Sequence, residues 1–134
     1  MSVNDNKALI ADFMAEFSKK DNFDVWSEYL ADTATWWIIG NPVQFPAAGT
    51  KSKLEFVNLI KSLSSVVPAG IQFMPRRMIG EGDFVAVEAE SFADTISGKK
   101  YHNRYHLQVE VRDNKIQSVK EYLDTMHVMD VLMS

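Results

Sequence analysis

The chain has 134 residues, 46% of them hydrophobic, with a formal charge of −4 and no cysteine. This length and composition predict one folded domain over residues 1–134 and exclude disulfides, thiol catalysis and cysteine metal sites. There is no basic cluster, no long apolar run and no apolar signal core among the charged first 20 residues, so we expect a cytoplasmic protein that binds neither nucleic acid nor membrane.

The first half of the chain has the apolar spacing of helices, interrupted by one strand. Apolar residues recur at helical spacing over about residues 4–19 and again over 25–30, which predicts a first helix and a second, short one. Residues 33–39 are β-branched and aromatic, as is typical of a strand, and residues 40–49 are predicted to form a loop because of their prolines and glycines. Ser52 and Glu55 form a capping box that begins a third helix, which ends before Pro68.

The second half has the two-residue period of strands. Residues 71–79 are predicted to form a strand that Pro75 must kink or place at the sheet edge. Turn sequences at 81–83, 97–99 and 113–115 divide the rest into three long strands of an antiparallel meander. Thr125 is predicted to cap a last helical turn with one apolar face, formed by Met126, Met129, Leu132 and Met133. The predicted class is α+β.

Alternation along residues 101–112 predicts which face of the sheet is inside. The odd positions are mostly apolar and the even positions are all polar, so we expect the odd face to pack against the helices. Three polar residues lie on this apolar face, namely Asn103, Tyr105 and Glu121. Burying an ionised carboxylate costs on the order of several kcal/mol unless it is hydrogen-bonded or its pKa shifts. Glu121 is therefore the candidate acid or base, and a purely structural network of the three residues is the alternative.

The same face predicts the walls of an apolar pocket. The expected ligand-contacting residues are Trp37, Phe73, Val119, Leu123, Met126 and Met129. Because a β-bulge would exchange the two faces of the strand, Trp36 could stand in place of Trp37.

The even face is predicted to point outward. His102 and His106 lie on it, about 13 Å apart along the strand, which is too far for them to share a metal ion. No motif for a metal or an organic cofactor occurs elsewhere. Three aromatic residues share this polar face, which we predict to be the interface of a homodimer. They are Phe84, Phe92 and Tyr122.

Three segments give the chain a family resemblance over nearly its whole length. They are FDVWSEYLADTAT at 23–35, GTKSKLEFV at 49–57 and, most specific, YHNRYHLQVEVRDNKIQSVKEYLD at 101–124. With the predicted order of elements, the chain resembles the NTF2-like superfamily in its SnoaL-like branch. The resemblance implies a cone of three N-terminal helices packed in a strongly curved, mainly antiparallel sheet around an apolar pocket. Members include polyketide cyclases, ketosteroid isomerases, epoxide hydrolases, dehydratases and non-catalytic modules, so the fold alone assigns no function.

The site residues of the family are matched only in part. The segment KEYLD is similar to the one in which limonene-epoxide hydrolases carry a catalytic carboxylate, and Glu121 falls on it. The Arg-x-Asp of those enzymes would fall at Ala89 and Ser91. The oxyanion-hole tyrosine and the base aspartate of ketosteroid isomerases would fall near Phe13 and Trp37. SnoaL-type cyclases use an aspartate and a histidine inside the cone, whereas both strand histidines here are predicted to point outward.

The sequence leaves three functions open. The first is a metal-free, cofactor-independent isomerase, cyclase or hydrolase acting on a small apolar carbonyl, phenol or polyketide-like molecule. Glu121 would be its general acid or base, and Tyr105 and Asn103 would donate to a developing oxyanion. The second is a ligand-binding module with the same pocket and no chemistry. The third is a structural subunit of a larger enzyme, like the β subunits of ring-hydroxylating oxygenases.

Overall fold

The computed structural model describes residues 2–133, and its class is α+β, as predicted. The helices are α1 (Val3–Phe17), α2 (Phe23–Ser27), α3 (Lys53–Ser62) and α4 (Thr125–Leu132). The strands are β1 (Leu30–Ile38), β2 (Gly49–Ser52), β3 (Gln72–Glu81), β4 (Phe84–Asp94), β5 (Lys100–Arg112) and β6 (Lys115–Leu123). No helix among the described residues is both long and apolar enough to cross a membrane.

The six strands form one mixed, curved sheet in the order β2-β1-β6-β5-β4-β3. Neighbouring strands are antiparallel except β1 and β6, which run parallel. The parallel pairing places Trp36 beside Val119 and Ile38 beside Glu121. The first strand of the chain therefore lies against the last, and their side chains share the inner face.

Capping boxes begin the two longest helices. Ser2 with Asp5 starts α1, and Ser52 with Glu55 starts α3. In each box the serine hydroxyl oxygen accepts a hydrogen bond from the backbone N–H of the acidic residue, and the carboxylate of that residue accepts one from the backbone N–H of the serine. Only the second box was predicted from the sequence. The apolar stripe of α1 packs on β3 and β4, and α3 packs on β1. The buried residues of these stripes are Ile10, Phe13, Met14, Phe56 and Val57.

The inner face of the sheet is the predicted one. On β5 every odd residue from Tyr101 to Val111 is buried, and the even residues between them are exposed or half-buried. The odd residues at the centre of β4 are buried in the same way. His102 and His106 accordingly point outward. The strict alternation works because β4 and β5 pair without a register shift.

Pro75 lies on β3, which is an edge strand of the sheet. An edge strand tolerates a proline because it has a neighbouring strand on one side only, so a missing N–H is less costly there. Pro75 pairs with Ala89 but Arg77 pairs with Glu88, so Arg76 is an extra residue in a bulge. The bulge reverses the alternation of the strand, and an even-numbered residue, Met78, packs against the core beyond it.

Two predicted helix boundaries are wrong. The second helix ends at Ser27, and Leu30, predicted to be helical, begins β1. The cap of α4 is Asp124 rather than Thr125, because the Asp124 carboxylate accepts from the His127 N–H at 3.1 Å. Of the predicted apolar face of this helix only Leu132 is buried, and the other buried residues are Val128 and Val131.

Candidate functional site

Residues of α1, α3, α4 and the inner sheet face surround a cavity. Its volume is about 80 Å³, several times the roughly 15 Å³ that one ordered water needs. Its walls are mostly aromatic and aliphatic, including Phe13, Phe17, Phe56, Phe73 and Leu107. The lining residues whose side chains carry polar atoms are Trp36, Tyr101, Tyr105 and Glu121. The cavity is thus apolar, with a few polar groups that could orient a ligand.

Glu121 projects from the inner face of β6 into this cavity. It is 8% exposed, and its Oε1 accepts a hydrogen bond from Nε1–H of Trp36 at 2.9 Å. Trp36 is itself held by a stacked Phe56 ring, with centroids 3.8 Å apart and planes at 9°. Within residues 2–133 this carboxylate forms no second hydrogen bond. Its other oxygen, Oε2, is nevertheless not a fully buried atom without a partner, so part of its surface is accessible. Oε2 is therefore the oxygen that faces the cavity.

The surroundings of Glu121 tune its proton affinity. Burial raises the pKa of Glu121 to about 7, and the hydrogen bond from Trp36 and the positive charge of Lys51 act in the opposite direction. Lys51 lies beside Trp36 on the β1–β2 ladder, and its Nζ donates to the carbonyl oxygen of Ala47 at 2.5 Å. A carboxyl group whose pKa is near neutral pH can both take up and release a proton.

The cavity wall contains Trp36 and not Trp37, which corrects the predicted orientation. Trp37 lies on the outer face, where its ring meets Tyr122 edge-on with centroids 5.3 Å apart. Every second residue in the last part of β1 is buried, namely Ala34, Trp36 and Ile38. The parallel pairing with β6 places these side chains on the inner face of the sheet. The sequence carried this signal, since residues 34 and 38 are apolar and share the parity of Trp36.

The other predicted wall residues are placed unevenly. Phe73 and Leu123 line the cavity, and their contact with a ligand stays a prediction. Val119 is buried in the core but lines no part of the cavity. Met126 is 82% exposed and Met129 packs on the core away from the cavity. The other two residues of the predicted face of α4, Leu132 and Met133, do line the cavity, together with Val128.

A chain of hydrogen-bonded hydroxyl groups crosses β4 and β5 at the cavity wall. The Ser91 Oγ lies 2.8 Å from the Tyr105 hydroxyl, which lies 2.8 Å from the Tyr101 hydroxyl, and Nδ2 of Asn103 donates to Tyr101 at 3.0 Å. All four side chains are buried. Sequence reasoning singled out Asn103 and Tyr105 but missed Ser91 and Tyr101, although both have the inward parity.

Asn103 has no hydrogen left to donate to a ligand. Besides Tyr101, its Nδ2 donates to the carbonyl oxygen of Asp124 at 3.0 Å. Its Oδ1 accepts from the backbone N–H groups of Arg104, at 2.8 Å, and Asp124, at 3.2 Å. These four bonds use the whole capacity of the amide, and Asn103 is absent from the cavity lining. The direct donation predicted for Asn103 is not available in this arrangement, and its geometry is that of a positioning residue.

The histidines are engaged outside the cavity. The His127 ring stacks on Tyr101, with centroids 5.2 Å apart, and its Nε2 accepts from the backbone N–H of His102 at 3.1 Å. The His102 ring stacks on Phe92 and contacts Glu90 at 2.9 Å. In the part of the chain that the structure describes, no three His, Asp or Glu side chains are grouped to hold a metal ion.

Comparison with known proteins gives a family and a fold. The profile of the SnoaL-like domain family matches residues 10–119, and no curated protein sequence matches the chain. An NTF2-like protein from Burkholderia xenovorans LB400 is 23% identical, over 98% of each chain, with a TM-score of 0.75. TerC, co-crystallised with polyporic acid, is 20% identical over 97% of this chain and 99% of its own, with a TM-score of 0.80. PrhC from Penicillium brasilianum NBRC 6234 is 16% identical over 96% of this chain and 86% of its own, with a TM-score of 0.85.

Proposed function

The chain belongs to the SnoaL-like domain family and has the NTF2-like fold, and we propose that it is a cofactor-independent enzyme for a small apolar carbonyl compound. In this proposal Glu121 is the general base and acid of an isomerase, cyclase or hydrolase. The fold does not decide among these reactions, because it hosts many. The proposal therefore concerns the step that such reactions share, the movement of a proton by a carboxyl group.

One observation carries the proposal, the half-satisfied carboxylate in an apolar cavity. Oε1 of Glu121 is held at 2.9 Å by Trp36, so the side chain has a fixed orientation. Oε2 faces the cavity, and burial brings the pKa of Glu121 to about 7. A buried carboxyl with a perturbed pKa and an accessible oxygen is the arrangement that general acid–base catalysis uses.

The charges around the cavity favour an uncharged ligand. Within residues 2–133 no arginine, lysine or histidine side chain lines it, and the ammonium group of Lys51 is directed to the Ala47 carbonyl oxygen. An anion entering the cavity would lose its hydration and meet the Glu121 carboxyl without a free cation to pair with. The chemistry therefore suits a neutral, largely apolar molecule with a carbonyl oxygen.

The proposed step is proton abstraction beside that carbonyl group. Oε2 of Glu121 takes a proton from the neighbouring carbon, the C–H bond pair becomes the carbon–carbon double bond of the enolate, and the carbonyl oxygen takes up the negative charge. Glu121 then returns the proton to the same or another carbon. Hydrogen-bond donors close to the oxygen lower the energy of the enolate.

The exchange of acetophenone methyl hydrogens in D₂O, followed by proton NMR, tests this step without knowledge of the natural substrate. We expect the protein to accelerate exchange and Glu121→Gln to reduce that acceleration by about 100-fold or more, the usual contribution of a general base. Glu88→Gln, which changes an exposed carboxyl on the outer face, is the matched control. Exchange that survives in Glu121→Gln, or that the native protein does not catalyse, would contradict the proposal. Binding without exchange would indicate a ligand-binding module.

We further propose that the outer face of the sheet is the interface of a homodimer. Tyr122 is 39% exposed and lies against Trp37, and Phe84 is 45% exposed on the same face. Charges of both signs lie on this face, because Phe84 pairs with Glu110, whose carboxylate contacts Arg112 at 2.7 Å. An aromatic face bordered by mixed charges is self-complementary, as a two-fold interface requires.

A further inference from the structure

We propose that Tyr101 and Tyr105 together form a binding site for a ligand oxygen, to which the pair donates one hydroxyl hydrogen. Ser91 and Asn103 supply hydrogen bonds to this pair from its two ends. The proposal shares the cavity with the proposed function, but it does not depend on the role of Glu121. It assigns a site of its own, in which Asn103 and Ser91 are positioning residues.

The number of hydrogens in the hydroxyl chain fixes how many remain for a ligand. Ser91, Tyr105 and Tyr101 carry one hydroxyl hydrogen each, and the two links between them, each of 2.8 Å, use one apiece. One hydrogen is therefore left over. The Asn103 amide cannot accept it, because backbone N–H groups occupy its oxygen and its nitrogen already donates to Tyr101.

Burial decides where the spare hydrogen lies. Ser91 is 0% exposed and lines no part of the cavity. Among residues 2–133 its hydroxyl forms one hydrogen bond of good geometry, with Tyr105 at 2.8 Å, and it also lies close enough to the Tyr101 hydroxyl to act on the pKa of that phenol in the lowering direction. If Ser91 kept the spare hydrogen, that hydrogen would be buried without an acceptor, at a cost of a few kcal/mol or less. Ser91 therefore donates to Tyr105, and the spare hydrogen belongs to one of the two tyrosines that line the cavity.

Either tyrosine can present the hydrogen to the cavity. If Tyr105 donates to Tyr101, the Tyr101 oxygen accepts from both Tyr105 and Asn103, and its own hydrogen is free. If Tyr101 donates to Tyr105, the Tyr105 oxygen accepts from both Ser91 and Tyr101, and its own hydrogen is free. In each case the donating oxygen receives two hydrogen bonds, which polarises its O–H group.

The two phenols remain protonated, as donors must. Burial raises the pKa of Tyr101 to about 12 and that of Tyr105 well above its ordinary value, with the negative charge of Glu121 adding to both effects. Within residues 2–133 no other hydroxyl group lines the cavity. The ligand that suits the pair has an oxygen that accepts one hydrogen bond, such as a ketone, a quinone or a phenol.

Infrared spectroscopy of acetophenone bound to the native protein tests the site, with carbonyl ¹³C labelling to separate its band from the protein bands. At pH 9 the Glu121 carboxyl is ionised and cannot donate.

We expect the carbonyl band of bound acetophenone to lie at a lower frequency than its band in hexane. It should stay low in Tyr101→Phe and in Tyr105→Phe, because the remaining tyrosine keeps a free hydrogen, and it should return to the hexane position in the double variant. Tyr122→Phe, which removes a hydroxyl from the outer face, is the control.

The outcomes separate this site from the acid–base proposal. Glu121→Gln should keep the low band while losing hydrogen exchange. If the double variant does not fold, native protein containing 3-fluorotyrosine replaces it, and the stronger phenol donor should lower the band further. The proposal is overturned if acetophenone does not bind, if the native band lies at the hexane position, if one single substitution abolishes the shift, or if fluorination leaves the band unchanged.

Discussion

The indole N–H of Trp36 and the carboxylate of Glu121 form a buried hydrogen bond of 2.9 Å between the only two parallel neighbours of the described sheet. This bond orients one carboxylate oxygen and leaves the other to the cavity. It also stabilises the ionised form, in opposition to burial. The proton affinity of Glu121 is therefore set by groups on the neighbouring strands as well as by the apolar wall.

Trp36→Phe should raise the pKa of Glu121 above its value of about 7. The substitution keeps an aromatic ring against Phe56 but removes the N–H donor, and a hydrogen bond to a charged group contributes about 1.5–3 kcal/mol. The titration of the Glu121 carboxyl carbon, followed by NMR, measures the change. Trp37→Phe, on the outer face, should leave the titration where it is. An unchanged titration in Trp36→Phe would show that this bond does not stabilise the anion.

Lys51→Met should also raise the pKa of Glu121, because the positive charge of Lys51 favours the carboxylate. The same NMR titration gives the answer. Lys53→Met is the matched control, since Lys53 is also a partly buried lysine bonded to a backbone carbonyl, that of Leu30 at 3.0 Å. A larger effect of Lys53→Met than of Lys51→Met would contradict the assigned electrostatics.

The stability of the protein should fall between about pH 4.5 and pH 7 through the titration of Glu121. The folded state holds this proton more tightly than the unfolded state, since burial raises the pKa from 4.5 to about 7. The stabilisation is present in full below pH 4.5 and is lost as the pH rises through 7, so the free energy of unfolding falls by about 3 kcal/mol over this range. Urea unfolding of the native protein and of Glu121→Gln at pH 4.5 and pH 8 measures it. The free energy of unfolding of Glu121→Gln, relative to that of the native protein, should be higher at pH 8 than at pH 4.5. The same difference between the two proteins at both pH values would contradict this prediction.

Asn103→Leu should destabilise the fold by about 2–4 kcal/mol, because it leaves buried polar partners without a bond. Those partners include the Tyr101 hydroxyl and the backbone of Asp124, at the start of α4. Gln108→Leu changes an exposed position of the same strand and should cost no more than roughly 0.5 kcal/mol. Thermal unfolding of the two variants compares them, and equal losses would remove the special role of Asn103.

Tyr122→Glu should convert the proposed homodimer into a monomer, because a charge would enter the aromatic centre of the outer face. Light scattering after size-exclusion chromatography gives the mass. Val43→Glu, in a loop where the side chain is 90% exposed, should leave the mass unchanged. A native protein that is monomeric at micromolar concentration would refute the interface.

The sequence predicted the inner face of β4 and β5 and the position of Glu121 on the inner face, because alternation is a local property of a regular strand. It assigned the wrong tryptophan of β1, although Ala34 and Ile38 share the parity of Trp36, because two adjacent tryptophans obscure the alternation that the pairing with β6 makes plain. The α4 face was assigned only in part, since Leu132 and Met133 line the cavity but Met126 is exposed and Val128 lies in the wall.

The hydroxyl chain illustrates a different limit of sequence reasoning. Ser91 and Tyr101 have the parity of the inner face, but a serine and a tyrosine on a strand are ordinary residues. Their significance comes from distances of 2.8 Å between hydroxyl groups on two strands. Alternation identifies the face on which a residue lies, and it does not identify the side-chain atoms that it meets there.

The indole and carboxylate partners are separated by 85 positions in the chain. A nascent polypeptide has no such pair until β6 has been synthesised, and contacts between distant segments form slowly in folding. A fragment that stops before β6 would contain the segments of α1, α2 and α3 but would lack Glu121, the proposed acid and base. Hydrogen exchange of a bound ketone would therefore report completion of the native topology, which makes the proposed chemistry an assay for correct folding.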